Sequence, residues 1–126
     1  MIYGIGVDLV RVPRIAAAIE RYGDRFLTRI FTPKEIEHCQ GRAWALSGFA
    51  QRFAAKEAFS KALGVGLRQG GIGWREVEVL PNHRGKPEIF VSGRAAQLCQ
   101  EAGITNYHLT LTDDDNHCIA VVVLEK

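Results

Sequence analysis

Residues Phe53 to Ala62 read F-A-A-K-E-A-F-S-K-A. Alanine, lysine and glutamate are strong helix formers. The run lies inside a longer helical pattern, which predicts the longest helix of the chain from about Ala43 to Leu63, stopped by Gly64. Leu46, Phe49, Ala50, Phe53 and Ala54 form its expected buried stripe. Glu57 and Lys61 stand four apart, so they are neighbours on one helical face. On spacing alone this is a surface ion pair worth roughly a few tenths of a kcal/mol. A carboxylate and an ammonium framed by Ala and Phe are also able to hold a metal ion and a phosphate together.

Working outward, the first partner is Asp8 in G-I-G-V-D-L-V, Gly4 to Val10. Residues 2–10 alternate as a strand does. Ile5, Val7 and Leu9 share one face, and Gly4, Gly6 and Asp8 share the other. Two glycines beside an acid leave room for a helix or a ligand to approach the backbone. Two acids and a lysine are the minimum set for phosphate chemistry on a divalent cation.

Between these pieces, Pro13 opens a helix whose stripe is Ile15, Ile19 and Tyr22, stopped by Gly23. Asp24 is the expected cap of a short helix through Ile30. Thr32-Pro33-Lys34-Glu35 is a capping box that starts a helix to about Cys39. After the long helix, Gly64 to Gly73 holds five glycines and reads as a loop. Val77 and Val79, the turn Asn82 to Lys86, and Pro87 to Val91 make a hairpin. Ser92 caps a helix ending at Gly103. Tyr107 to Leu111 and Cys118 to Leu124 make a final antiparallel pair around Asp113 to Asn116. The order is β-ααα-ββ-α-ββ. It predicts an α+β fold over residues 1–126, a single small domain with a mainly antiparallel sheet and helices on one side.

Composition narrows the function. A chain of 126 residues is one domain with one core. No apolar run approaches the ~20 residues that span a bilayer, so no membrane role is expected. No signal peptide is evident, and the expected location is cytoplasmic. Cys39, Cys99 and Cys118 include no C-x-x-C pair, which argues against a disulfide framework and a structural zinc site. A net charge of +2 does not by itself imply nucleic-acid binding.

Four stretches together resemble a known family. They are G-I-G-V-D-L-V, R-F-A-A-K-E-A-F-S-K-A-L-G at Arg52 to Gly64, G-K-P at Gly85 to Pro87, and H-L-T-L-T at His108 to Thr112. In this order, over nearly the whole chain, they are similar to the small-type 4′-phosphopantetheinyl transferases, the holo-acyl-carrier-protein synthase family. The resemblance implies transfer of the phosphopantetheine arm of coenzyme A to a serine of apo-acyl-carrier protein, with adenosine 3′,5′-bisphosphate leaving. It implies Mg²⁺ on Asp8 and Glu57, Lys61 on the pyrophosphate, a homotrimer with coenzyme A between subunits, and service to fatty-acid biosynthesis. It makes Asp8, Glu57 and Lys61 the catalytic set. The coenzyme A contacts it implies are Arg52, Lys61, Gly64, Gly66, Lys86, Pro87 and His108. One stretch departs from the family: H-L-T-L-T-D carries Asp113 where an H-x-S-x-S-H pattern has its second histidine.

Arg14, Arg21 and Arg25 are spaced to share a face if the first helix continues past Gly23. Read alone they are a solvated stripe. Acyl-carrier proteins are acidic and dock on the first helix in this family, so the stripe is the expected docking surface. A general base for the serine proton is also required. Glu57 is the candidate, directly or through a metal-bound water. Other readings of the same residues are a Mg²⁺-dependent pyrophosphohydrolase and a non-catalytic module for acidic partners. The module has no use for Asp8, Glu57 and Lys61 together.

Overall fold

The computed structural model describes residues 1–126. Strand β1 (Ile2–Arg11) leads into four helices, α1 (Val12–Tyr22), α2 (Asp24–Ile30), α3 (Pro33–Cys39) and α4 (Ala45–Leu63). A short helical turn at Trp74–Glu76 precedes the hairpin β2 (Val77–Pro81) and β3 (Pro87–Val91). Helix α5 (Gly93–Ala102) and strands β4 (Asn106–Asp113) and β5 (His117–Glu125) complete the chain. The α+β class and the order of elements are as expected. The helical stretch before the hairpin divides into four because Gly23, at φ 57°, ends α1 and starts α2.

The main sheet is antiparallel in the order β1-β5-β4, and the hairpin β2-β3 stands apart as a second small sheet. Asp8 lies opposite Ala120, and Thr110 lies opposite Val121 on the other side of β5. Helix α4 packs on β1 and β5 with one side and against α1, α3 and β2 with others. Enclosed in this way, it is buried around most of its girth, with Phe49, Ala50, Phe53, Ala54, Ala58 and Phe59 in the core. The expected single stripe is therefore too narrow. Leu46, expected to be buried, lies in the first turn of α4 and is 38% exposed, at the edge of a recess it shares with Ile19 and Leu27.

The glycines of β1 explain how close α4 comes. A Cβ on Gly6 would sit 1.9 Å from the Ala58 carbonyl oxygen, and one on Gly4 would sit 1.9 Å from that of Ala62. Only a bare backbone on the strand, facing alanines on the helix, permits this approach. Ile5, Val7 and Leu9 point the other way and are 61%, 54% and 59% exposed.

The capping box forms as expected. The Thr32 N–H donates to Glu35 Oε1 at 2.9 Å, and the Glu35 N–H donates to Thr32 Oγ1 at 3.2 Å. Three other local expectations change. Asp24 is the first residue of α2 rather than its cap, Ser92 sits at the α5 cap position without a side-chain bond, and Tyr22 is exposed. All three cysteines are free and buried. No helix is long and apolar enough to cross a membrane.

Candidate active site

Strand β1 and helix α4 bring Asp8, Glu57 and Lys61 together. Lys61 Nζ lies 3.1 Å from Asp8 Oδ1 and donates a second hydrogen bond to the Val7 carbonyl at 3.1 Å. The ion pair thus joins helix to strand instead of running along the helix to Glu57. The Lys61 side chain is 54% exposed, so the third donor of its ammonium is free for another anion.

Glu57 sits half-buried one turn before Lys61 on α4. Burial pushes its carboxyl above the ordinary value, and the negative charge of Asp8 pushes it further. Lys61 and Arg14 oppose the shift. Two carboxylates that raise each other's energy are a site where a cation is favoured. No third His, Cys, Asp or Glu joins them in a metal-binding group. That donor set fits Mg²⁺, which is often held by one or two carboxylates with waters and substrate phosphate oxygens filling the octahedron.

The other expected coenzyme A contacts lie elsewhere on the same chain. Arg52 is buried, and its guanidinium donates to the Val79 and Gly48 carbonyls at 3.0 and 3.1 Å. With Lys86, Pro87, His38 and Trp44 it lines a cleft of about 380 Å³. His108 stands on the outward face of β4, 3.0 Å from Glu125. It shares a second cleft of about 400 Å³ with Lys86 and Pro87. The G-K-P turn borders both clefts, and neither contains Asp8, Glu57 or Lys61. The Gly64 and Val65 N–H groups close the end of α4 on the Ser60 carbonyl at 2.8 and 3.2 Å. Ile72 N–H donates to the Gly66 carbonyl at 3.0 Å, folding the glycine loop back on itself.

The three expected docking arginines line one side of the molecule. Arg14 lies over the Phe53 ring at 5.4 Å and Arg21 over the Tyr22 ring at 5.3 Å. Arg25 is on α2, beyond the break at Gly23, yet it borders a recess that includes Tyr22 and Phe53.

Sequence reading missed Lys56, which lies within the opening stretch. It is fully buried, and its Nζ is 2.8 Å from Glu35 Oε1. The same ammonium donates to the Trp74 carbonyl at 3.0 Å and to the Val77 carbonyl. Glu35 Oε2 in turn accepts the Val79 N–H at 2.9 Å. The available signal was periodicity: Lys56 is three residues after Phe53 and seven after Phe49, on the buried stripe.

The sequence pattern of the 4′-phosphopantetheinyl transferase superfamily matches residues 4–122. A holo-acyl-carrier-protein synthase of Koribacter versatilis is 49% identical over 125 residues, covering 99% of each chain. One from Geotalea daltonii is 46% identical over 126 residues and 100% of both chains. The crystal structure of holo-acyl-carrier-protein synthase from Neisseria meningitidis superposes with a TM-score of 0.92 at 37% identity, covering 100% of both chains. That from Helicobacter pylori, in complex with coenzyme A, gives 0.84 at 30% identity over 96% of this chain and 99% of that one. The chain therefore belongs to the holo-acyl-carrier-protein synthase family of phosphopantetheinyl transferases, and it is an enzyme.

Proposed function

We propose that this enzyme transfers the 4′-phosphopantetheine moiety of coenzyme A to a serine hydroxyl of apo-acyl-carrier protein, in the cytoplasm and in support of fatty-acid biosynthesis. Mg²⁺ on Asp8 and Glu57 is part of this reading, as is a homotrimer. The observation that carries it is the meeting of Asp8, Glu57 and an exposed Lys61 where β1 crosses α4. The coenzyme A in the Helicobacter pylori structure supports the choice of substrate.

The reaction forms a bond from the serine oxygen to the phosphorus next to pantetheine. It breaks the bond from that phosphorus to the bridging pyrophosphate oxygen, releasing adenosine 3′,5′-bisphosphate. Mg²⁺, when bound, offsets the negative charge of the pyrophosphate and stabilises charge on the leaving phosphate. Lys61 turns from Asp8 to a phosphate oxygen and supplies a positive charge there. Glu57 takes the serine proton, directly or through a water. Burial and the charge of Asp8 raise its carboxyl above the ordinary value, which makes the ionised form a stronger base than a free carboxylate.

Two features support a site shared between subunits. The G-K-P and His108 clefts lie apart from Asp8, Glu57 and Lys61 on one chain, so another copy is the natural way to unite them. The outward sheet face also leaves Ile5, Val7 and Leu9 exposed, the kind of apolar patch that a partner covers.

The test is intact-mass spectrometry of apo-acyl-carrier protein after incubation with the enzyme and coenzyme A, with Mg²⁺ or with EDTA. The expected result is a gain of one phosphopantetheine with Mg²⁺ only. Cleavage of coenzyme A with no gain on any carrier protein would favour the hydrolase, and gain in EDTA would remove the metal from the reading.

A further inference from the structure

Next to the helix α2 end of the arginine stripe lies a second basic region that the sequence did not single out. Arg29, Arg68, Arg75 and Arg94 line one open cleft of about 500 Å³. They come from α2, the glycine loop, the turn before β2 and the first turn of α5. The ion pairs of the molecule join Lys56 to Glu35 and Lys61 to Asp8, the histidine–carboxylate contacts are His108 with Glu125 and His117 with Asp114, and none of the four includes an arginine. The acid in the cleft is Glu76, and both its oxygens are engaged by backbone. Oε1 accepts the Gly73 N–H at 2.7 Å, and Oε2 accepts the Arg94 N–H at 2.8 Å.

Four arginines line this cleft against one carboxylate, Glu76, so the fold gathers more positive charge here than the cleft itself offsets. Like charges held close cost stability, and an anionic partner recovers it. The four are exposed and spread along an open cleft. No buried polar side chain is set to grip a single compact anion. This arrangement suits an extended acidic surface, in which each rim pair contributes little affinity but the summed field speeds encounter and fixes orientation.

Position selects the occupant. Arg29 and Trp74 belong both to this cleft and to the neighbouring recess that holds Arg25, Tyr22 and Phe53. Arg14 in turn lies over Phe53. A continuous track therefore runs from the α1 arginines, across an apolar recess, to the second arginine group. We propose that Arg29, Arg68, Arg75 and Arg94 form a second docking region for the acidic carrier protein, engaging an acidic surface beyond the part held by Arg14, Arg21 and Arg25. This rests on the carrier protein being the substrate, as read above.

The experiment measures binding of a carrier protein whose acceptor serine is replaced by alanine, at low and at physiological ionic strength. The variants are the pair Arg75→Glu with Arg94→Glu, the pair Arg75→Gln with Arg94→Gln, and Arg14→Glu. The glutamate pair should weaken carrier binding by about tenfold or more. It should also flatten the salt dependence and leave KM for coenzyme A unchanged. The glutamine pair should show a smaller loss in the same direction at the wild-type melting temperature, which separates charge from folding. Unchanged carrier affinity and salt dependence in the glutamate pair, while Arg14→Glu weakens binding, would overturn the second region and leave the carrier protein as substrate. Loss of coenzyme A affinity with carrier affinity intact would also overturn it, by making the cleft a small-anion site. No binding of wild-type enzyme to any carrier protein would remove the substrate reading and the proposal together.

Discussion

Lys56 and Lys61 both lie on α4, and each meets a carboxylate, Glu35 at 2.8 Å and Asp8 at 3.1 Å. The surroundings differ. Both members of the first pair are fully buried, and every charged atom has a partner: Thr32 N–H, Val79 N–H and two carbonyls complete the set. In the second pair the lysine is more than half exposed, and Glu57 beside it has no ion pair. A closed network fixes where α3, α4 and β2 sit, and it has no capacity left for a ligand. The open pair has spare donors and acceptors and an unfavourable meeting of two acids, which a cation and a phosphate relieve. The two regions share residue types, so burial and completeness of bonding, not composition, assign one to structure and the other to chemistry.

The largest expected effect comes from breaking the closed network. Lys56→Met leaves the Glu35 carboxylate buried without its cation, a loss of about 3–5 kcal/mol. Urea unfolding measures it, and that loss is a large share of the roughly 5–15 kcal/mol of a typical domain. Adding Glu35→Gln should recover part of the loss, because the stranded charge is gone. A loss under about 1 kcal/mol for Lys56→Met would place this network with the weak surface pairs.

A smaller effect is expected where the two regions meet through packing. Gly6→Ala drives a methyl group into the Ala58 carbonyl, at the 1.9 Å approach noted above. Strand and helix must separate, at about 1–3 kcal/mol by the usual cost of overpacking. The movement also carries Asp8 away from Glu57, so transfer activity should fall in protein that is still folded. Unchanged melting and unchanged activity together would show that the contact yields freely.

The smallest effect is a pH signature of the open pair. The carboxyl of Glu57 is raised in the folded protein by burial and by Asp8. A raised carboxyl contributes stability that is present below the unfolded value, about 4.3, and lost as pH rises through the folded value. At neutral pH the ionised group is therefore a net cost. Glu57→Gln should gain in melting temperature relative to wild type as pH goes from about 4 to about 7. A difference that does not vary with pH would mean that the Glu57 charge is not penalised.

Sequence and structure agree most where one local rule acts alone. Thr32 and Glu35 form the capping box their spacing specifies, and the turn Asn82 to Lys86 joins the two strands of the expected hairpin. The glycine face of β1 announced a close approach, and α4 makes it. Motif and position together singled out Asp8, Glu57 and Lys61, and the fold brings the three side by side. Agreement ends where a residue answers to several elements at once. Glu35 caps α3 and also neutralises Lys56 from a helix 21 residues away in sequence. Leu46 follows the stripe but sits at the edge of a recess and stays 38% exposed. The second arginine cleft draws on four separate elements, so no window of sequence contains it.

The most direct measurement is phosphopantetheine transfer by Asp8→Ala and Glu57→Gln, read by intact mass of the carrier protein with melting curves recorded alongside. The account predicts transfer slowed on the order of 100-fold or more in each, since losing a metal-binding carboxylate removes several kcal/mol from the barrier's stabilisation. It also predicts melting temperatures equal to or above wild type. Wild-type rates of transfer in either folded variant would contradict it.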